Sequence, residues 1–117
     1  MTQQKFDQML RIDDAAFLDA GRRAVATRQR IEEVADAVTA RGYESILFVG
    51  SGGTYANAWP YEELARKRSR LPVRVLEAAE LVQTGDPLLG PGALVVVTSV
   101  SGTTEDVLAA LEVVRKA

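Results

Sequence analysis

Two turns rich in serine, glycine and threonine constrain the fold of this chain most, because each joins a short apolar run to a helix-like segment. The first turn, residues 50–54, follows the apolar run 46–49, and the second turn, residues 99–104, follows the apolar run 94–97. A buried strand, a tight turn and a helix form the repeating unit of α/β proteins. The sequence therefore predicts an α/β fold in which each turn leaves the carboxyl end of a parallel strand.

The first part of the chain has a helical pattern. Residues 1–42 are expected to form an N-terminal helical segment, with a first helix within residues 6–20. The pair Asp13-Asp14 can cap a helix start in this region. A longer helix is expected from Arg22 to Arg41, with Gly42 in the left-handed conformation that ends helices.

The rest of the chain, residues 43–117, alternates strands and helices. The expected strands are residues 46–49, 73–76 and 93–98, and the expected helices are residues 54–68, 77–81 and 104–116. Pro60 lies inside the first of these helices and predicts a kink there, or a helix that begins near Trp59. If the strand order is 2-1-3, both turns leave neighbouring strands at one edge of the sheet and share one pocket.

Both turns have the composition of an anion-binding site. Glycines let the backbone approach a ligand, hydroxyls donate hydrogen bonds, and the following helix directs its free N–H groups at the turn. Neither turn contains Lys or Arg. The expected ligand is therefore a phosphate that neutral donors hold.

Composition excludes several function classes. The 117 residues contain no cysteine and no histidine, which removes Cys nucleophiles and Ser-His-Asp triads; no metal or other cofactor is expected. The net charge of -2 gives no electrostatic reason to bind nucleic acid or an anionic membrane. The chain has neither an apolar run near the ~20 residues that span a bilayer nor a secretory signal at its polar start, so a cytoplasmic location is expected.

Residues 50–55 and 99–106, which contain the two turns, resemble the sugar isomerase (SIS) domain family. The second turn is similar to the Ser-x-Ser-Gly-x-Thr phosphate signature of that family. The stretch 77–81 is similar to its Ala-Ser-Glu-Phe stretch, with Ala79 and Leu81 as departures. The placement of Trp59-Pro60-Tyr61 is most similar to the branch that includes fructosamine-6-phosphate deglycases. The resemblance covers residues 43–117.

This resemblance implies a partial SIS (phosphosugar-binding) domain with a flavodoxin-like, three-layer parallel sheet. The family sheet has five strands, and the sequence predicts only the first three here. Two strands are therefore expected to be missing, together with the family's catalytic glutamate and histidine, so no catalytic residue is assigned to this chain.

The resemblance also implies which residues bind the ligand. The second turn would hold the phosphate through Ser99, Ser101 and Thr104, assisted by the backbone at Gly102 and Thr103. The first turn would contact the sugar or line the pocket through Ser51, Gly52, Gly53 and Thr54, with Glu80 as a possible secondary residue. Val100 stands where the hexosamine synthase branch has glutamine, which weakens that substrate assignment.

Other interpretations use the same residues. Gly50 and Gly52 also begin a dinucleotide fingerprint, with Glu77 placed to bind a ribose, but Tyr55 occupies a position that this fingerprint reserves for Gly or Ala. Each turn could also be only a tight turn with a good helix cap. Glu77 and Glu80 could serve as a general base, or they could mark a helix start or an interface.

Two functions are consistent with these residues. The chain is expected to be the phosphosugar-binding part of a sugar-phosphate isomerase or deglycase, or a non-catalytic module of a regulator that senses a sugar phosphate. Its helical lead has no evident helix-turn-helix with a basic recognition helix, which favours the first. The expected small-molecule partner is a phosphorylated sugar or amino sugar. The apolar run 94–97 would lie unprotected at a sheet edge, so it is expected to pair with a second copy of the chain in a homo-oligomer, or with a separate chain that supplies the rest of the domain. No nucleic acid or membrane partner is expected.

Overall fold

The computed structural model describes residues 12–117, and the chain divides into two compact units, Met1–Ala40 and Arg41–Ala117. Helix α1 (Asp14–Ala26) begins in the first unit, and Asp13 caps it by accepting a hydrogen bond from the backbone N–H of Ala16. The expected helix start at this pair of aspartates is confirmed. The preceding part of the expected first helix, residues 6–11, lies outside the described residues.

The expected continuous helix from Arg22 to Arg41 is wrong, because the chain forms two helices there. Helix α2 (Arg28–Arg41) follows α1 after an interruption at Thr27. The hydroxyl of Thr27 donates to the carbonyl oxygen of Ala24 at 2.7 Å. Threonine hydroxyls compete in this way with the backbone hydrogen bonds of a helix. Neither α1 nor α2 contains a buried residue.

The second unit is built on a parallel sheet of β1 (Ser45–Gly50), β2 (Val73–Glu77) and β3 (Ala93–Val97) in the order β2-β1-β3. Phe48 of the central strand pairs in register with Val75 on one side and Val96 on the other. The predicted α/β class and the strand order 2-1-3 are therefore confirmed. Since parallel strands run in one direction, both turns leave the same edge of this sheet.

Three helices complete the second unit: α3 (Gly53–Arg68), α4 (Ala78–Thr84) and α5 (Glu105–Lys116). The buried core joins Leu47 and Val49 of β1 to Leu81 of α4 and Val107 of α5. Phe48 stacks on Tyr61 of α3. Because successive side chains of a strand point to opposite faces, α3 covers one face of the sheet and α4 with α5 the other.

Helix α3 begins at Gly53 and runs through Pro60 to Arg68. The expectation that it begins near Trp59 is therefore wrong. The helix starts directly at the first turn, so its first N–H groups lie beside the turn glycines. Gly42, which follows α2, has φ +82°, and its predicted left-handed conformation is confirmed.

The two outer strands of the sheet differ in their protection. Each pairs with only one strand among residues 12–117, but β2 carries the charged residue Arg74, whereas β3 consists of Ala93, Leu94 and three valines. Every residue of β3 is half-buried. Charged side chains are one means by which edge strands resist further pairing, and β3 lacks it.

Candidate functional site

The strand register brings the two turns together. Val49 pairs with Val97 at the ends of β1 and β3, and the backbone N–H of Thr98 donates to the carbonyl oxygen of Val49 at 3.0 Å. The first turn and the second turn therefore start from adjacent positions at the carboxyl edge of the sheet. Parallel α/β sheets bind their ligands at this edge, where connections diverge to opposite faces.

A polar pocket of about 330 Å³ lies between the turns. Six of the residues proposed from the sequence line it: Ser51, Gly53, Thr54, Ser99, Ser101 and Thr104. Gly52, Gly102 and Thr103 belong to the same turns but do not line the pocket. The two glycines let the turns bend sharply, since Gly52 has φ +57° and Gly102 has φ +71°, a conformation that glycine adopts readily.

Contacts within the chain close the first turn. The hydroxyl of Thr54 accepts from the backbone N–H of Ser51 at 3.0 Å and donates to the carbonyl oxygen of Ser51 at 3.1 Å. The backbone N–H of Gly52 donates to Oε1 of Glu77 at 3.1 Å. Two backbone donors of this turn are therefore engaged, one by a neutral hydroxyl and one by a carboxylate.

Gly50 allows α3 to start close to the end of β1. A Cβ atom on Gly50 would lie 2.7 Å from the backbone nitrogen of Tyr55 and 2.8 Å from the carbonyl carbon of Thr54. Both are backbone atoms, which a rotamer change cannot move. The first turn is thus fixed by a close strand-to-helix approach that only glycine permits.

Hydroxyls hold the second turn. Ser99 Oγ accepts from the backbone N–H of Gly102 at 3.0 Å, and Ser101 Oγ accepts from the backbone N–H of Thr103 at 3.1 Å. The hydroxyl of Thr104 lies 3.4 Å from Ser99 Oγ and 3.5 Å from Ser101 Oγ. These two contacts are long for O–H···O hydrogen bonds, so the hydroxyls can rotate toward a ligand at little cost.

The second turn also precedes free backbone donors. Thr104 is the N-cap of α5, and its side chain makes no capping hydrogen bond. The first intrahelical bond of α5 joins the N–H of Leu108 to the carbonyl oxygen of Thr104. The N–H groups of residues 105–107 therefore have no intrahelical acceptor. The hydroxyls of the second turn and the free N–H groups in the first turn of α5 thus lie at the same helix N-terminus. This is the arrangement that binds phosphate at helix N-termini.

Asn57 lines the same pocket and was not among the residues proposed from the sequence. It follows Thr54 by three positions on α3, and residues so spaced share one face of a helix. This spacing could have identified Asn57 from the sequence, because the helix expected over residues 54–68 contains both residues. Its amide can donate and accept, which suits the hydroxyl groups of a sugar.

Val100 and Glu80 lie near the turns but differ in their relation to the pocket. Val100 lines the pocket although its side chain is 95% exposed, so it lies at the pocket mouth. Glu80 does not line the pocket and is exposed on α4. Its neighbour Glu77, the last residue of β2, is the glutamate that reaches the first turn.

An apolar cleft of about 240 Å³ adjoins the polar pocket and shares Thr54 and Asn57 with it. Phe48, Tyr61 and Val96 provide its apolar walls.

No helix within residues 12–117 is long and apolar enough to cross a bilayer. In that same part of the chain, no cluster of acidic side chains is placed to hold a metal ion.

A scan against protein-family models gives no match, and a search of curated proteins finds none that matches. The support for a function therefore comes from the motifs and from the geometry of the polar pocket.

Proposed function

We propose that this chain is a phosphosugar-binding domain of the SIS type, with a flavodoxin-like sheet, and part of a sugar-phosphate isomerase or fructosamine-6-phosphate deglycase. One observation carries the proposal. The hydroxyls of Ser99, Ser101 and Thr104 gather at the start of α5 on the wall of a pocket that the first turn completes.

The chemistry of the second turn suits a phosphate monoester. Three hydroxyls and the free N–H groups of α5 supply neutral donors in different directions, as the oxygens of a phosphate require. Glu105 and Asp106 occupy the first turn of α5 but are exposed, so solvent screens their charges. The pocket volume of about 330 Å³ lies at the small end of the range for small-molecule sites and suits a single sugar phosphate.

The first turn supports the sugar end of the same ligand. Ser51 and Thr54 line the pocket beside Asn57, and these side chains offer hydroxyl and amide groups to sugar hydroxyls. The sequence contains no histidine, and Glu77 is engaged with the first turn. The residues of this chain therefore favour binding over proton transfer. A regulator that senses sugar phosphate would use the same contacts.

We also propose that the chain acts as a homodimer or higher homo-oligomer. The edge of β3 is free of charged residues, which leaves it open to further pairing. Tyr61 and Leu64 of α3 are exposed as well, at 57% and 55%, and their spacing of three positions makes them neighbours on the helix surface. Exposed apolar groups that lie near one another are typical of protein contacts. The cytoplasmic location stays a prediction from the sequence.

Calorimetric titration with glucose 6-phosphate tests the binding proposal. Changing Ser101→Ala together with Thr104→Ala removes two of the clustered hydroxyls, and we expect at least an about tenfold higher Kd, since hydrogen bonds to charged groups contribute about 1.5–3 kcal/mol each. Thr84→Ala is the matched control, because its hydroxyl is exposed on α4 and bonds the carbonyl oxygen of Glu80. An unchanged Kd in the double variant would refute the site.

A further inference from the structure

Glu77 places a carboxylate at the first turn. It is the last residue of β2, and it pairs in register with Gly50, the last residue of β1. From there its Oε1 accepts the backbone N–H of Gly52 at 3.1 Å. Gly52 lies between Ser51 and Gly53, which both line the polar pocket. The negatively charged carboxylate of Glu77 therefore bonds a residue whose two sequence neighbours line the pocket.

The acceptors at the second turn are different. The backbone donors of Gly102 and Thr103 meet hydroxyl oxygens, which are neutral and can turn away when a ligand arrives. The acidic residues nearest to this turn, Glu105 and Asp106, are exposed, and α5 has no side-chain capping bond. The two ends of one pocket thus differ in charge, with the fixed carboxylate on the side of the first turn.

We propose that Glu77 is a specificity-determining residue that keeps a second phosphate out of the first-turn end of the pocket. The inference rests on the proposed function and fixes the orientation of the ligand in the pocket. Its single phosphate lies on the second turn, and its other end, neutral or positively charged, lies on the first turn. Glu77 acts in two ways: it occupies an N–H that an anion would use, and it repels a second anion.

Competition between two ligands tests this inference. Titrations of the full chain with glucose 6-phosphate and with glucose 1,6-bisphosphate give a ratio of the two Kd values. We expect the wild type to prefer the monophosphate. Changing Glu77→Gln removes the charge but keeps an amide oxygen that can accept from Gly52, and we expect the ratio to shift about fivefold toward the bisphosphate.

The control for net charge is Glu112→Gln. Glu112 lies on the later part of α5 with a side chain that is 60% exposed, and we expect this variant to keep the wild-type ratio. An equal shift in both variants would overturn the inference, because the effect would then follow from net charge alone. An unchanged ratio in Glu77→Gln would overturn it too, while binding of the monophosphate would leave the proposed function intact.

A second measurement needs no variant. The repulsion from Glu77 is screened as the Debye length falls from about 10 Å at 0.1 M salt to about 3 Å at 1 M. We therefore expect the preference of the wild type for the monophosphate to shrink as salt is raised. A preference that stays constant would contradict an electrostatic role for Glu77. If neither sugar phosphate binds the wild type at any salt concentration, the proposed function fails and this inference fails with it.

Discussion

The first and second turns look alike as sequences, yet contacts of different kinds hold them. The first turn is held by a close strand-to-helix approach at Gly50, by the Thr54 hydroxyl, which bonds both backbone groups of Ser51, and by the Glu77 carboxylate, which accepts from Gly52. The second turn has no carboxylate acceptor among the described contacts, and hydroxyls alone accept from its backbone N–H groups.

This difference suits the two turns to different tasks, although their sequences are similar. The backbone N–H of Gly52 already meets a carboxylate and offers little to an anion, because binding would have to replace a charge-assisted hydrogen bond. A turn whose donors meet hydroxyls can exchange them for phosphate oxygens at low cost. Similar strand-turn-helix segments can therefore serve as a structural joint in one place and as a binding surface in another.

The largest expected effect comes from Gly50→Ala. The added methyl group would lie less than 3 Å from two backbone atoms, and overpacking of this kind costs about 1–3 kcal/mol or more. We expect a loss of about 3 kcal/mol in the free energy of unfolding, measured with urea. Gly53→Ala is the control, since nothing lies within 4 Å of its added carbon. Equal stability of the two variants would show that the first turn is not sterically fixed.

A matched pair of threonine substitutions has the next largest effect. Thr54→Val removes two hydrogen bonds to Ser51, which we expect to lower the free energy of unfolding by about 1–2 kcal/mol. Thr104→Val removes only contacts of 3.4 and 3.5 Å and should cost less than about 0.5 kcal/mol while weakening sugar-phosphate binding. Thermal or urea unfolding measures the first quantity and calorimetry the second. A larger stability loss in Thr104→Val than in Thr54→Val would contradict the view that the first turn is the more tightly held of the two.

The sequence predicted the sheet because its signals are local. Short apolar runs such as residues 46–49, bounded by glycine, predict buried strands, and the short connections predict parallel pairing. The break at Thr27 escaped prediction because apolar periodicity does not detect a local side-chain hydrogen bond such as that from Thr27 to Ala24, which competes with helical backbone bonds. The helix expected over residues 54–68 is observed as Gly53–Arg68; only the alternative start near Trp59 was wrong, because it gave too much weight to the average penalty of a proline inside a helix.

The site was predictable in its residue types but not in its electrostatics. Hydroxyls and glycines at two strand ends indicate a shared pocket once the strand order is assumed. The role of Glu77 depends on the register Gly50 to Glu77 between β1 and β2, and register is a property of tertiary structure. Asn57, by contrast, could have been found from its spacing to Thr54 on the expected helix, which the structure shows as α3. Sequence patterns thus identify the donors, while the fold decides which of them remain free.

The smallest expected effect is a change in amide hydrogen exchange on adding inorganic phosphate. At the second turn, phosphate oxygens can take the free N–H groups of residues 105–107 and the hydroxyls beside them. We expect these amides, together with that of Gly102, to exchange about two- to tenfold more slowly with phosphate than with sodium chloride at equal ionic strength. The amide of Gly52 should not change, because Glu77 already accepts from it. NMR follows the exchange residue by residue. Equal slowing at both turns would mean that the carboxylate of Glu77 does not keep phosphate away from the first turn. Slowing at the first turn alone would reverse the direction of the ligand in the pocket, since the phosphate would then lie where the fixed negative charge opposes it.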